Sequence, residues 1–449
     1  MLLDPKWLMR MNRAVPRYTS YPTAPQFRPI EESLYQEYLH KASEKPLSVY
    51  IHIPFCRTMC LFCGCSTVLN RKPERQAAYL DTLLTEIDLA AKYLKAPLIT
   101  QLHLGGGTPT SLRIDEFETL MQKLQEHFPF ASDAELSIEI DPRTVYADEG
   151  EKLCALKRLG FNRVSFGVQD LDPKVQEAVK RRQTEEMSQK TFEMARGIGF
   201  QGINIDLIYG LPFQTISSFT KTAAAIASWQ PDRIALFSYA KVPWLKKHQR
   251  AIAENTLPTT EEKFGIYVKA REAFLKNGYT AIGMDHFSLK TDSMSAGFLD
   301  GKLHRNFQGY SLNLAENMIG FGMSSIGFLE GAYFQNHKEL EGYQSFLETR
   351  RLPAALGLVL SFEDKLRRWV IQELMWRFRV DKKECEKLFS INFDEHFQNC
   401  PLLPLKEEGL LEETEDSLTA TPLGCLMIRL IASAFDAYLA ESSCYSKLV

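Results

Sequence analysis

Several features are missing from this 449-residue sequence, and each absence excludes a class of protein. No run of about 18 apolar residues occurs, so we expect no membrane-spanning segment. The N-terminus has no apolar core followed by a small-residue cleavage site, which makes the cytoplasm the expected location. The formal net charge of −3 includes no basic excess, so we expect no nucleic-acid partner. A hydrophobic fraction of 45% excludes wholesale disorder.

The chain is long enough for two or three domains. From about residue 47, β-branched apolar runs alternate with segments of helical periodicity, which predicts parallel strands joined by helices. The count of units is short of a complete eight-unit barrel, so we expect an α/β fold with a partial, open (β/α)6-type TIM-like barrel. The predicted strands are 48–55, 99–106, 135–141, 163–169, 203–210 and 233–240, with a strand-like segment at 281–287.

The composition changes after about residue 355, where amphipathic helices precede a helix–strand–turn–strand–helix pattern. This pattern predicts a mainly helical, winged-helix-like C-terminal domain over 355–449, after a barrel domain over 47–350. The proposed wing, KEEGLLEETEDS at 406–417, is acidic and would be repelled by phosphates, so we expect a lid or packing role. An N-terminal extension over 1–46 is expected to pack on the active-site side.

Nine cysteines are present, and four of them (Cys56, Cys60, Cys63 and Cys65) lie within ten residues at the end of the first strand. The first three have the spacing C-x3-C-x2-C. Three thiolates on one short loop can hold a cuboidal iron–sulfur cluster and leave one iron without a protein ligand, whereas ferredoxin-type clusters take four. An open metal position is a place for a substrate or cofactor.

Two alternatives for this cluster stay open. Cys65 could be a fourth ligand that closes the cluster into an electron-transfer centre, a functional thiol, or a packing residue. A structural zinc site is also possible, although such a site usually draws on two separated ligand pairs and no second CxxC or HxxxH is present.

Polar or glycine residues follow most of the predicted strands, at the edge where sites form in α/β folds. The glycines of Gly105–Pro109 allow close approach of a ligand, or form a tight turn. Glu139 could meet a ligand ammonium, or pair with a barrel arginine. Gln169 follows a later strand. Arg181 could clamp a carboxylate, or lie on a solvated face. Asp206 could bind a ribose hydroxyl, or be a paired core aspartate.

The cysteine motif, with Phe62 just before its third cysteine, resembles the radical S-adenosylmethionine (SAM) superfamily. Within it, the chain resembles the oxygen-independent coproporphyrinogen III oxidases over about residues 12–440. The matching motifs, in chain order, are PRYTSYPTA, YIHIPFCRTMCLFCGC, LHLGGGTPT, SIEIDPR, FNRVSFGVQD, NIDLIYGLP, FSYAKVP, IGMDHF and HRNFQGY.

This resemblance implies a 4Fe-4S cluster, one or two SAM molecules, and oxidative decarboxylation of two propionates of coproporphyrinogen III to vinyl groups. It implies that Cys56, Cys60 and Cys63 ligate the cluster, and that Cys65 and Tyr50 have catalytic roles. The residues implied to line the SAM sites are Tyr50, Phe62, Gly64, Gly106, Gly107, Thr108, Glu139, Gln169, Arg181, Asp206, Ala240 and Ile326.

A tetra-anionic substrate should meet cationic or hydrogen-bonding groups, and we expect these to include Arg17, His286, His304 and Arg305. The resemblance also implies a low-potential electron donor such as flavodoxin or ferredoxin, and we expect a monomer. Two further alternatives are a haem-handling relative without decarboxylase activity and a winged-helix regulator that senses iron–sulfur status.

Overall fold

The computed structural model describes residues 4–306, 309–312, 315–439 and 445–449. Its helices are α1 Pro5–Met11, α2 Glu32–Lys41, α3 Pro73–Ala91, α4 Ile114–His127, α5 Pro142–Tyr146, α6 Glu151–Arg158, α7 Pro173–Ala178, α8 Glu185–Ile198, α9 Ile216–Trp229, α10 Thr260–Lys276, α11 Ser293–Leu299, α12 Leu340–Glu348, α13 Phe362–Arg377, α14 Lys382–Phe389, α15 Phe393–His396, α16 Leu403–Glu407, α17 Pro422–Leu426 and α18 Ile428–Ser433. Its strands are β1 Arg28–Pro29, β2 Leu47–Ile53, β3 Phe55–Cys56, β4 Val68–Leu69, β5 Ile99–Gly106, β6 Phe130–Ile140, β7 Arg163–Gln169, β8 Gly202–Tyr209, β9 Arg233–Ser238, β10 Tyr279–Ile282, β11 His286–Leu289, β12 His304–Asn306, β13 Gly309–Ser311, β14 Asn317–Phe321, β15 Ile326–Leu329, β16 Ala332–Asn336, β17 Ala354–Val359, β18 Arg379–Asp381, β19 Leu411–Glu413 and β20 Ser417–Ala420.

Six parallel strands, in the order β2-β5-β6-β7-β8-β9, form the centre of a 13-stranded sheet. This is the predicted partial, open (β/α) barrel, and all six predicted strands are confirmed. Their apolar runs are explained by burial, since β2 has six buried residues out of seven and helices cover the outer face. The parallel direction places the carboxyl ends of these strands at one edge.

Two expectations about the edges of the sheet were incomplete or wrong. Residues 281–287 form an antiparallel hairpin of β10 and β11, not one strand, because the chain reverses at Gly283 with φ +53. On the other side, β14 adds to β2 in parallel and β15, β16 and β17 follow as an antiparallel meander. The predicted start of the C-terminal domain at residue 355 therefore falls inside β17, a strand of the large sheet.

The C-terminal unit begins with α13 and contains a three-stranded sheet in the order β18-β20-β19. Its helices and strands follow the predicted winged-helix-like order. Its core is shared with the N-terminal extension, since Leu8, Met11 and Val15 pack with Leu374 and Ile431. Among the residues that the structure describes, no helix is both long enough and apolar enough to cross a bilayer.

Candidate active site

A cavity of about 450 Å³ lies at the carboxyl ends of the parallel strands. Such a position and size are typical of ligand sites in α/β proteins. The structure brings most of the predicted site residues to this one cavity. Those lining it are Cys56, Cys60, Cys63, Cys65, Phe62, Gly64, Gly106, Gly107, Thr108, Glu139, Gln169, Arg181, Asp206, Ala240, Arg17, His286 and Arg305.

The cysteine loop, residues 56–65, leaves the sheet through β3, which pairs with β4. A tight turn joins its second and third cysteines, since the Cys63 amide donates to the Cys60 carbonyl at 3.1 Å. The Cys56 sulfur lies 3.3 Å from the Thr108 hydroxyl. Burial raises the pKa of the Cys56 thiol to about 11, so a nearby positive charge such as a metal ion would favour its thiolate form at neutral pH.

The donor set of the cavity fits an iron–sulfur cluster with a bound organic cofactor. Three cysteine thiols face one space, and thiolates are the usual ligands of such clusters. Nearby polar atoms have no protein partner: the Gln169 Oε1, the Arg181 Nε and the Tyr239 hydroxyl are buried and unpaired among the described residues. Buried polar groups normally have partners, so these atoms are available to a ligand. Within the same ranges, no three His, Cys, Asp or Glu side chains surround a single-ion position.

Cys65 also lines the cavity and is more exposed than the other three cysteines. A hydrogen bond between its thiol and that of Cys63 raises the pKa of Cys65 well above its usual value and lowers that of Cys63 to about 6. The two side chains therefore lie in contact at the end of the cysteine loop.

Three side chains that the sequence analysis did not identify bind the main chain of the cysteine loop. Lys246 donates to the Cys65 carbonyl at 2.8 Å, His248 Nε2 lies 2.8 Å from the Cys63 carbonyl oxygen, and Gln249 donates to the Phe62 carbonyl at 3.0 Å. These side chains come from a segment, 241–251, that follows the last barrel strand. No signal in the sequence marks them, because they bind main-chain carbonyls that any residue would offer.

The glycines after β5 are required by packing. Gly106 has φ +115, and a Cβ there would lie 2.7 Å from the His52 ring. A Cβ on Gly107 would collide with the Pro54 carbonyl. The glycines therefore let β5 pass close to the strand that leads into the cysteine loop. The Gly106 amide also donates to Glu139 Oε2 at 3.1 Å.

Glu139 and Asp206 put two carboxylates into the cavity. Glu139 is half-exposed, and His103 Nε2 lies 3.4 Å from its Oε1. The salt bridge with a barrel arginine, considered above, is not found for Glu139 among the described residues. Asp206 accepts hydrogen bonds from Ser165 and Asn204, and burial together with the nearby Glu139 charge raises its pKa to about 6.

Arg181 is buried, so the solvated-face alternative is wrong. Its guanidinium donates to the Gly167 carbonyl at 2.6 Å, lies 3.5 Å from the Cys60 sulfur, and pairs with Asp141 at 3.6 Å. Burial alone would raise the pKa of Asp141, but Arg181 and Arg143 lower it to about 2. A fixed cation thus stands beside the second cysteine.

A second cationic group lines the same cavity and is organised by a buried carboxylate. Asp285 pairs with Arg17 at 3.0 Å and with Arg305 at 3.8 Å, and His286 Nδ1 lies 2.7 Å from it. These partners hold the pKa of Asp285 below its usual range despite its burial. The Arg305 guanidinium also donates to the carbonyls of Arg17 and Tyr18.

Three predicted site residues do not line the cavity. Tyr50 stacks on His103 one layer below, with its hydroxyl 3.0 Å from His52 Nδ1. Ile326 lies on β15 and packs against the cluster formed by Phe27, Tyr333 and Leu360. His304 is exposed and its ring meets the edge of Trp376. Their roles stay predictions. Residues 307–308 of the HRNFQGY motif lie outside the described residues.

Curated relatives extend over nearly the whole chain. An oxygen-independent coproporphyrinogen III oxidase of Synechocystis is 40% identical over 97% of this chain and 95% of its own. One from Helicobacter pylori strain J99 is 41% identical over 94% of each chain. This chain belongs to the oxygen-independent coproporphyrinogen III oxidase family.

The structure of another member of this family agrees with that assignment. The solved structure of the Escherichia coli coproporphyrinogen III oxidase HemN, described as a radical SAM enzyme, is 39% identical in sequence and matches with a TM-score of 0.90. The match covers 98% of this chain and 100% of the HemN chain. The profile of the radical SAM superfamily matches residues 50–226, and that of the HemN C-terminal domain matches 360–427. Membership of this oxidase family implies a 4Fe-4S cluster and SAM.

Proposed function

We propose that this protein removes two carboxyl groups from coproporphyrinogen III by radical chemistry and forms protoporphyrinogen IX, in anaerobic porphyrin and haem biosynthesis. One observation supports the proposal most strongly. A single cavity is lined both by the three cysteines of the C-x3-C-x2-C loop and by a pair of arginines, Arg17 and Arg305. A site for generating a radical and a site for binding carboxylates therefore share one space.

Three protein ligands and a set of unpaired polar groups define the cofactor side. Cys56, Cys60 and Cys63 would hold the cluster, and Glu139 would meet the SAM amino group. When bound, the cluster and SAM supply a 5′-deoxyadenosyl radical that takes a hydrogen atom from the propionate β-carbon. Arg181 holds a positive charge in place for the SAM carboxylate, and Asp206 offers its carboxylate to a ribose hydroxyl.

The substrate carries four carboxylates, so the part of the cavity that binds it needs positive charge. Arg17 and Arg305 share one buried counter-charge, Asp285, so this group retains a net positive charge for substrate propionates. Each propionate would lose one hydrogen atom to the 5′-deoxyadenosyl radical, then lose CO2 and pass one electron to an external one-electron acceptor, and a vinyl group would remain. We further propose that the protein acts as a monomer, uses a low-potential one-electron donor, and binds one or two SAM molecules.

The proposal is tested by anaerobic reconstitution with iron, sulfide, dithionite, SAM and coproporphyrinogen III. We expect 5′-deoxyadenosine and a stepwise loss of two carboxyl groups by mass spectrometry. A parallel sample with haem measures retention on gel filtration. Haem retention without any vinyl product would contradict the proposal and favour a haem-handling protein.

A further inference from the structure

The segments around the cysteine loop are basic, although the whole chain has a net negative charge. The whole sequence has a net charge of −3, yet residues 56–72 and 241–251 together contain seven Lys and Arg and no Asp or Glu. These two segments are neighbours in space, because Lys246 and His248 bind the carbonyls of Cys65 and Cys63. A compact basic region thus surrounds the loop that holds the cluster ligands.

Two large apolar side chains are exposed in the same place. Trp244 and Leu245 have 53% and 60% of their surface exposed, although burial would be favourable for both. Lys247 and Arg250 are exposed close by in the chain, and neither has an ion-pair partner among the residues that the structure describes. An apolar centre with a charged rim is the usual anatomy of a protein–protein interface. We call Trp244, Leu245, Lys247 and Arg250 the 244–250 surface.

We propose that the 244–250 surface docks an acidic one-electron carrier protein that reduces the cluster. This inference rests on the proposed function. The surface lies on the segment that holds the cysteine loop through Lys246, His248 and Gln249, so a bound carrier would lie next to the cluster. In the transfer, the carrier loses one electron and the cluster gains one, with no bond formed or broken. The unpaired cations select an acidic partner by charge, as is usual for transient complexes.

The test uses reconstituted holoenzyme and a purified bacterial flavodoxin as the acidic carrier. The dissociation constant is measured by calorimetry for the wild type, for Trp244→Ala and for the double variant Lys247→Glu/Arg250→Glu. We expect each variant to weaken binding at least about tenfold, and wild-type affinity to fall with added salt. Dithionite-driven 5′-deoxyadenosine formation should stay unchanged in both variants, because a small reductant needs no docking surface.

A control surface lies at the C-terminal end of α10 and just after β11. Leu275 is 38% exposed beside the exposed Lys276, and the exposed Lys290 follows β11. Like the 244–250 variants, Leu275→Ala truncates one exposed apolar side chain and Lys276→Glu/Lys290→Glu reverses two exposed positive charges. These control variants should leave flavodoxin affinity within about twofold of the wild type.

Several results would overturn the docking proposal. They are unchanged affinity in the 244–250 variants, an equal loss in the control variants, or a sedimentation shift showing that the surface pairs with a second copy of the chain. Salt-dependent binding of RNA to this surface in place of flavodoxin would also overturn it. Failure of the wild type to form vinyl product with dithionite would instead contradict the proposed function, because that assay needs no carrier protein.

Discussion

Asp285 is the anchor of the cationic group on the substrate side, and replacing it by asparagine removes its charge with little change of shape. Its carboxylate lies within 3.0 Å of Arg17, 3.8 Å of Arg305 and 2.7 Å of His286. Asparagine keeps one acceptor oxygen, so the hydrogen-bond geometry is partly preserved. The effect of Asp285→Asn therefore reports mainly on the lost charge.

The size of the effect follows from how deeply each partner is buried. The Arg305 side chain is 4% exposed, and breaking a buried pair costs about 3–5 kcal/mol because one charge remains uncompensated. Arg17 is 29% exposed, so loss of its pairing costs less than about 1 kcal/mol. Arg305 keeps its hydrogen bonds to two main-chain carbonyls in the variant, so we expect a loss at the lower end of that range of about 3–5 kcal/mol. We expect the free energy of unfolding to fall by about 3 kcal/mol.

Urea denaturation at a series of pH values measures this difference. The folded-state pKa of Asp285 lies below its unfolded value, so its stabilisation is fully present above about pH 4 and is lost as the pH falls through the folded pKa. The gap between wild type and Asp285→Asn should be constant at neutral pH and close on acidification. Asp300→Asn, at a side chain 61% exposed, serves as the control. A variant as stable as the wild type, or a gap unchanged in acid, would refute this reasoning.

Three further substitutions test the packing and charges of the site. Lys263, on α10, donates to the carbonyl of the cavity residue Tyr239 at 3.0 Å, and burial lowers its pKa to about 7. The unfolding free energy of the wild type should therefore rise relative to that of Lys263→Met by about 1.4 kcal/mol per pH unit between about pH 7 and 10, and parallel pH profiles in denaturation would contradict this. Gly107→Ala forces a Cβ against the Pro54 carbonyl and should lower the free energy of unfolding by about 1–3 kcal/mol, whereas the Cβ of Gly64→Ala meets nothing within 4 Å and should leave it unchanged. Equal melting temperatures for the two variants would argue against the packing role of Gly107. Arg181→Leu removes a buried cation and should weaken SAM binding at least about tenfold in equilibrium dialysis, with Arg182→Leu as the exposed control; unchanged affinity would remove Arg181 from the SAM site.

The barrel was predictable because its strands are rich in apolar, β-branched residues and alternate with helical segments. β2 is buried at nearly every position, whereas β7 and β8 alternate buried and partly buried residues. The part of the site that could be predicted consists of residues at or near strand ends, because parallel strands bring their carboxyl ends together. Glu139, Gln169 and Asp206 are examples, since each lies at or near the end of a strand and all line one cavity.

Other parts had no sequence signal. Gly283 lies inside an apolar run, so the hairpin of β10 and β11 reads as one strand until the positive φ is seen. Lys246, His248 and Gln249 hold the cysteine loop through its carbonyls, which no motif records. Asp285 stands within the IGMDHF motif, but its partners are distant in the sequence. Arg17 comes from the N-terminal extension and Arg305 from β12, so only the fold joins them.

The central claim is that three cysteines hold a cluster with one iron open to SAM. The most direct measurement is electron paramagnetic resonance of the reduced, anaerobically reconstituted protein with and without SAM, on the wild type and on Cys65→Ser. The account predicts a cluster signal in both proteins that changes when SAM is added. A signal that ignores SAM, or a cluster lost in Cys65→Ser, would show a closed four-cysteine centre and contradict the account.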